Sequence, residues 1–319
     1  MRIYHAIMLG MLGFLSDRFH VYHSVKNLQQ RLEMVKRVHG MDGIEVVYPS
    51  EFANPGETIQ LLKDSELAIS AVNLNVKSEK RWENGSFTSP DPHIRAAAVN
   101  ELKTALDLAA ELGTEMVSCC PLIDGHNYSF EVDYLTQWSW LVEGLKEGGR
   151  HRTDIKLSLE YKLNESRNYN LLSDIGRTLY LCQSIGLPNV GVTMDVGHAL
   201  IAKETPAEAI ALAAQAGRLF YVHFNDNGRD WDWDMIPGSI NLWDLLEVLF
   251  YLKRLDWEGW VSYDVVTRKG DIVKTMEASI SIIEHANKLV EKIGMEKLEA
   301  FIKTGDPAHN FDELLRSLL

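Results

Sequence analysis

Cysteine is scarce in this chain: Cys119, Cys120 and Cys182 are the three among 319 residues. The adjacent pair cannot bridge to itself without strained geometry, and no Cys-x-x-Cys pair is present, so a disulfide scaffold is excluded. Thiols buried in a reducing compartment are the expectation, and with them a cytoplasmic location. Long apolar runs are also missing. The stretch 6–15 falls short of the ~20 apolar residues of a membrane helix. It has no small-residue cleavage site and runs straight into Ser16-Asp17-Arg18-Phe19-His20, so it reads as a first core strand and its loop. Positive charge is in deficit, with 32 Lys and Arg against 45 Asp and Glu and a net charge of -13. Nucleic-acid binding depends on Lys and Arg neutralising phosphates, so the balance argues against a nucleic-acid partner, a nuclease substrate included. The same balance excludes an anionic membrane surface. No Gly-x-Gly-x-x-Gly follows the first strand, which removes the dinucleotide-binding open sheet.

What is present is an alternation. The hydrophobic share, 46%, supplies a sizeable core. Apolar strand-like runs fall at 3–9, 43–47, 67–74, 115–119, 155–161, 190–195, 219–224 and 259–265. Amphipathic helical spacing fills 92–113, 135–148, 171–185, 206–216, 241–255 and 275–293. Ser89-Pro90-Asp91-Pro92 opens one helix and Gly113 closes it. Strand and helix in strict alternation imply parallel strands with right-handed crossovers. Eight such units predict an α/β protein of the (β/α)8 barrel (TIM barrel) type. We expect the barrel to occupy 1–294 and a short C-terminal helical tail to occupy 295–319.

The active site of such a barrel is built at the C-terminal ends of its strands. Those ends carry one kind of chemistry. The fifth strand ends in Glu160-Tyr161-Lys162, the sixth in Asp195-Val196-Gly197-His198 and the seventh in His223-Phe224-Asn225-Asp226. Asp230-Trp231-Asp232-Trp233-Asp234 follows the seventh, and the eighth ends in Tyr263-Asp264. Glu160 and Lys162, two positions apart on a strand, point to the same face, and burying both needs partners. Carboxylates and imidazoles converging from four consecutive strands suit Mg²⁺, Mn²⁺ or Co²⁺.

These segments resemble the xylose isomerase-like barrels, which include xylose isomerase and L-rhamnose isomerase. The segment Glu160-Tyr161-Lys162-Leu163-Asn164-Glu165-Ser166-Arg167 fits the family's Glu-Pro-Lys-Pro-Asn-Glu-Pro-Arg at Glu160, Lys162, Asn164, Glu165 and Arg167. Asp195 followed by Val196-Gly197-His198 resembles its bridging-carboxylate turn, and Asp232-Trp233-Asp234 its second-metal loop. The resemblance implies two divalent ions: one held by Glu160, Asp195, His223 and Asp264, the other by His198, Asp232 and Asp234, with Asp195 bridging. It implies Lys162 as the group that hydrogen-bonds the substrate carbonyl. The implied activity is aldose–ketose isomerisation of an unphosphorylated sugar by hydride shift on the open chain, in a homo-oligomer (dimer or tetramer). The alternative is a ketose 3-epimerase with one metal, in which Glu160 and Asp264 exchange protons on opposite faces of an enediolate. The family's His after the second strand is absent from Gly43-Ile44-Glu45-Val46-Val47-Tyr48-Pro49-Ser50-Glu51, so ring opening or sugar binding must differ. Cys119-Cys120-Pro121 stands where the family has an aromatic wall. Asn73, His20 and Trp233 are expected to contact substrate, and His5, Tyr48 and Asn75 are further candidates for the pocket wall.

Overall fold

A computed structural model describes residues 1–318. Eight parallel strands close into one barrel. In chain order they are β1 (Arg2–Met8), β2 (Gly43–Tyr48), β3 (Ala68–Leu74), β4 (Met116–Cys119), β5 (Lys156–Glu160), β6 (Val190–Asp195), β7 (Leu219–Phe224) and β8 (Glu258–Tyr263). Neighbours in sequence pair in parallel, and β8 returns to β1, with Arg2 opposite Glu258 and Ile7 opposite Tyr263. Among the described residues, eleven α-helices surround and extend the barrel: α1 (Leu28–Val35), α2 (Pro55–Ser65), α3 (Pro92–Leu112), α4 (Tyr134–His151), α5 (Ile175–Ile185), α6 (Val196–Ile201), α7 (Pro206–Gln215), α8 (Leu242–Arg254), α9 (Ile272–Ile293), α10 (Met295–Thr304) and α11 (Pro307–Leu318). No helix among the described residues is long and apolar enough to cross a membrane.

The period-two alternation of the strands sorts their side chains into two environments. Outward positions such as Leu157, Leu159, Val190, Val192, Met194, Val222, Phe224, Val261 and Tyr263 join one apolar core with the helices. Inward positions are unusually polar. Ser118, Ser158, Thr193, Tyr221 and Ser262 are fully buried, and Thr193 Oγ1 donates to Ser158 Oγ at 2.7 Å. Ala71, Met116 and Tyr221 make a small apolar plug, with Trp260 and Phe220 packed on it. A barrel whose lumen is lined by hydroxyls can carry charge at one mouth, because hydroxyls across the lumen supply partners for buried polar groups.

Helix starts are set by side-chain caps. Asp91, Asp133, Asp174 and Asp271 each accept from the first turn of the helix that follows. The β7–α8 loop is pinned at its base by Asp226, whose backbone exchanges two hydrogen bonds of 2.9 Å with Met235. Its carboxylate also accepts from the Ile240 and Asn241 amides. This clamp projects residues 228–234 over the barrel mouth. Some structure was not apparent from the sequence pattern. Leu15–Ser16 and Val21–His23 form a hairpin in the β1–α1 connection. Gly125–His126, Asn164–Glu165 and Asn168–Asn170 form a small three-stranded sheet beside the mouth.

Candidate metal centre and active site

Glu160 ends β5, Asp195 ends β6, His223 lies one residue before the end of β7, and Asp264 follows β8. Each is therefore delivered to the same mouth by its own strand. All four are buried, and one ligand atom from each lies within 4.8 Å of the others. His223 Nδ1 is 3.6 Å from a Glu160 oxygen and 3.8 Å from an Asp195 oxygen. Asp195 is held from two sides: it caps α6 by accepting from the His198 amide at 2.7 Å, and it accepts from Asn225 Nδ2 at 2.9 Å.

A second, looser set adjoins the first. His198 Nδ1 is 3.1 Å from Glu160, and its Nε2 is 3.2 Å from Asp232. Lys162 Nζ reaches Asp232 at 2.9 Å and also bonds Glu165. Asp234 adopts φ 47°, a left-handed conformation uncommon for a residue with a side chain. Strain of that kind gathers where a site over-determines the backbone.

Electrostatics at the mouth is unbalanced. Burial pushes the Asp264 carboxyl up to about 7, against His223 but reinforced by Glu160 and Asp195. Burial likewise pushes Asp195 up to about 6; His198 opposes this and Glu160 adds to it. Asp234 is raised well above the carboxylate range by burial and by Asp264 and Asp232. Burial disfavours the Lys162 ammonium, but Asp232 and Glu165 outweigh it and hold the charge. Glu160 is driven down despite its burial, because His223 and His198 face it. Several buried atoms here have no in-line hydrogen-bond partner, among them Asp264 Oδ1, Asp232 Oδ1 and the Nδ1 atoms of His198 and His223. Clustered carboxylates with orphaned lone pairs and imidazole nitrogens gathered at one barrel mouth are what divalent cations would satisfy. The residues present therefore fit a metal, and their hard oxygen and imidazole donors suit Mg²⁺, Mn²⁺ or Co²⁺.

A cavity of about 460 Å³ opens onto this cluster, lined by Glu160, Lys162, His198, Asp232, Asp234 and Asp264 on one side. Asn73, Asn75, Arg31, Glu51, Lys77 and Cys120 form much of the rest. Of the expected substrate contacts, Asn73 lines the cavity. His20 and Trp233 do not: His20 is exposed on the β1–α1 hairpin, with its amide bonded to Asp17, and Trp233 is exposed on the loop, with Nε1 on Asp230. Of the further candidates, Asn75 lines the wall. His5 lies away from it, bonded to Tyr263, and Tyr48 turns outward to Glu101. The sequence reading missed Glu45, which stands behind His223, and the Arg31–Glu51 ion pair on the cavity wall. Glu45 had a legible signal: a lone carboxylate in an otherwise apolar strand must find partners inside the barrel.

Residues 33–289 match the family described as xylose isomerase-like TIM barrel. The chain belongs to that family. A curated member, xylose isomerase of Thermus thermophilus, is 28% identical over 209 residues, covering 64% of this chain and 54% of its own length. The chain thus spans about half the length of the curated relative it matches. Among solved structures, a D-tagatose 3-epimerase-like protein superposes with a TM-score of 0.70 at 21% identity, over 90% of this chain and 98% of that one. An L-ribulose 3-epimerase superposes with a TM-score of 0.70 at 18% identity, over 91% and 95%. At such identities these structures speak to the fold. Within the xylose isomerase-like family, the tetrad at the ends of β5, β6, β7 and β8 is this chain's most concentrated chemical feature.

Proposed function

We propose that this xylose isomerase-like barrel is a metal-dependent aldose–ketose isomerase of an unphosphorylated sugar, working on the open chain by hydride shift between neighbouring carbons. The observation that carries the reading is a buried acid–imidazole tetrad at the foot of the cavity with a second acid–imidazole set beside it, the Lys162 ammonium bonded to the second. Glu160, Asp195, His223 and Asp264 would hold one divalent ion, and His198, Asp232 and Asp234, with Asp195 shared, a second. When bound, the ions would supply Lewis-acid polarisation of the sugar's carbonyl and adjacent hydroxyl. Lys162 donates to the carbonyl oxygen and stabilises the negative charge that develops there. Asp232 and Glu165 keep that ammonium charged and aimed. Asn73, Asn75 and the Arg31–Glu51 pair offer polar groups to the sugar hydroxyls along the opposite wall. A dimer or tetramer in the cytoplasm belongs to this reading; the three free, buried cysteines accord with a reducing compartment. Sedimentation velocity reads the assembly.

The second reading is a ketose 3-epimerase, favoured by one specific observation: Asp264, delivered from the end of β8, lines the same cavity as Glu160, so a second carboxylate is in place to take and return a proton. Glu160 would be its opposite number. The solved structures named as epimerases give this reading weight as a shared fold. Incubating purified protein with a panel of free sugars and Mn²⁺, Mg²⁺ or Co²⁺ in deuterated water separates the two. Aldose–ketose conversion without solvent deuterium on carbon supports the isomerase. Interconversion of two ketoses with deuterium at the reacting carbon replaces it with the epimerase, and no turnover of any sugar would overturn both.

A further inference from the structure

We infer that Glu45 is a positioning residue for the metal centre, holding the His223 ring so that Nδ1 and not Nε2 is the nitrogen offered to the cation. The inference rests on reading the tetrad as a metal site. Glu45 sits on β2, three strands round the barrel from β7, and is fully buried. A carboxylate in that position is tolerable only with its oxygens occupied. Asn73 Nδ2 donates to Oε1 at 3.0 Å, and Ser118 Oγ donates to the same oxygen. Tyr221 OH donates to Oε2 at 3.1 Å and is itself tied to Ser70 Oγ at 2.8 Å. Asn73 Nδ2 also reaches Ser118 Oγ at 3.0 Å. Side chains from β3, β4 and β7 thus lock the carboxylate on β2, and it cannot swing away.

His223 meets this frame on one edge and the tetrad on the other. Its Nε2 lies 3.1 Å from Glu45 Oε2, a close but bent contact. Its Nδ1 faces Glu160 and Asp195 at 3.6 Å and 3.8 Å. The Tyr221 ring packs against it edge-on, with centroids 4.9 Å apart. A carboxylate behind an imidazole keeps the proton on the nitrogen it faces and leaves the other lone pair for a metal. Glu45 neither lines the cavity nor belongs to the tetrad; it reaches the metal ligands through His223, and its other neighbour at the cavity, Asn73, is not one of them.

Glu45→Gln tests this with little change of volume. Asn73 and Ser118, as donors, hold the amide oxygen on their side, so the amide NH₂ faces Nε2 and drives the ring proton to Nδ1. We expect Mn²⁺ affinity, measured by titration calorimetry, to fall 10- to 100-fold. Nitrogen NMR of ¹⁵N-histidine-labelled, Mg²⁺-saturated wild-type protein should show His223 ligated through Nδ1 and protonated on Nε2. Affinity of a folded Glu45→Gln within threefold of wild type, or ligation through Nε2, overturns the inference while leaving the isomerase reading intact. If the variant does not fold, as judged by metal-free thermal unfolding, the wild-type NMR assignment decides alone. Wild-type protein that binds no Mn²⁺ overturns the metal centre itself, and this inference with it.

Discussion

At the level of single side chains, the site is a problem of buried charge solved by neighbours. Lys162 keeps its proton against burial only because Asp232 and Glu165 face it. Replacing it with methionine, Lys162→Met, removes the donor proposed for the sugar carbonyl and leaves Asp232 with one cationic neighbour fewer. We expect kcat/KM to fall by about 10²- to 10³-fold, the usual cost of losing a charge-stabilising donor. Mn²⁺ affinity should hold or tighten, because the cavity becomes more negative. Steady-state kinetics alongside calorimetric titration checks both, and equal losses in turnover and metal affinity would instead assign Lys162 to the metal. The charged residues at strand ends were legible because a carboxylate or imidazole that ends an apolar run is costly to bury without a partner or a ligand. Glu45 was less legible, because the histidine missing after its strand is the more conspicuous departure. Residue type alone suggested His20 and Trp233, and residue type does not say which way a loop turns.

Among elements, the β6–α6 turn carries the most constraint. Asp195 is at once the last residue of a strand, the cap of a helix and a tetrad member. The chain can turn this tightly only because position 197 has no side chain. A Cβ at Gly197 would lie 2.0 Å from Asn225 Oδ1 and 2.9 Å from Asn227 Nδ2, both on buried residues. Asn225 also holds Asp195. We expect Gly197→Ala to cost about 2 kcal/mol of stability, typical of overpacking a filled site. Displacing Asn225 should also weaken Mn²⁺ binding about tenfold. Calorimetric unfolding and titration read the two separately, and unchanged metal affinity would show that Asn225 is not what steadies Asp195. The strand runs read from the sequence lie within two residues of the observed barrel strands, since period-two alternation and apolar content mark them strongly. The hairpin at Leu15–Ser16 and Val21–His23 was not legible, because its strands are too short to show a period and several of its side chains are exposed. The short α6 was also missed: its six residues are all buried, so no polar face marks it.

For the molecule as a whole, the mouth of the barrel stores electrostatic cost that depends on pH. Asp195 and Asp264 rise to about 6 and about 7, above the unfolded value near 4. His198 and His223 are also raised, their carboxylate neighbours outweighing burial. In all four the folded chain binds more protons than the unfolded chain once pH exceeds the unfolded pKa. Metal-free stability therefore falls as pH rises through the folded values. The depressed carboxylates Glu45, Glu160 and Asp232 have the opposite sign and act below about pH 4.5. Between about pH 5 and pH 8 the metal-free Tm should fall. Added Mn²⁺ should raise Tm more at the upper end, because ligands must shed protons to bind it. Scanning calorimetry across that range checks this, and a metal-free Tm that climbs with pH would contradict it. The closed barrel could be read from the sequence because eight alternating units leave few topologies. The polar lumen could not, because inward Ser and Thr in a strand look the same in sequence as solvent-facing ones.

Crystals grown with MnCl₂ and measured at the manganese absorption edge put the metal centre to its most direct test. We expect an anomalous peak among Glu160, Asp195, His223 and Asp264, with ligand distances of about 2.0–2.3 Å. A fully occupied peak elsewhere, or four side chains in these positions with no peak between them, would contradict the claim that these strand ends were brought together to hold a cation.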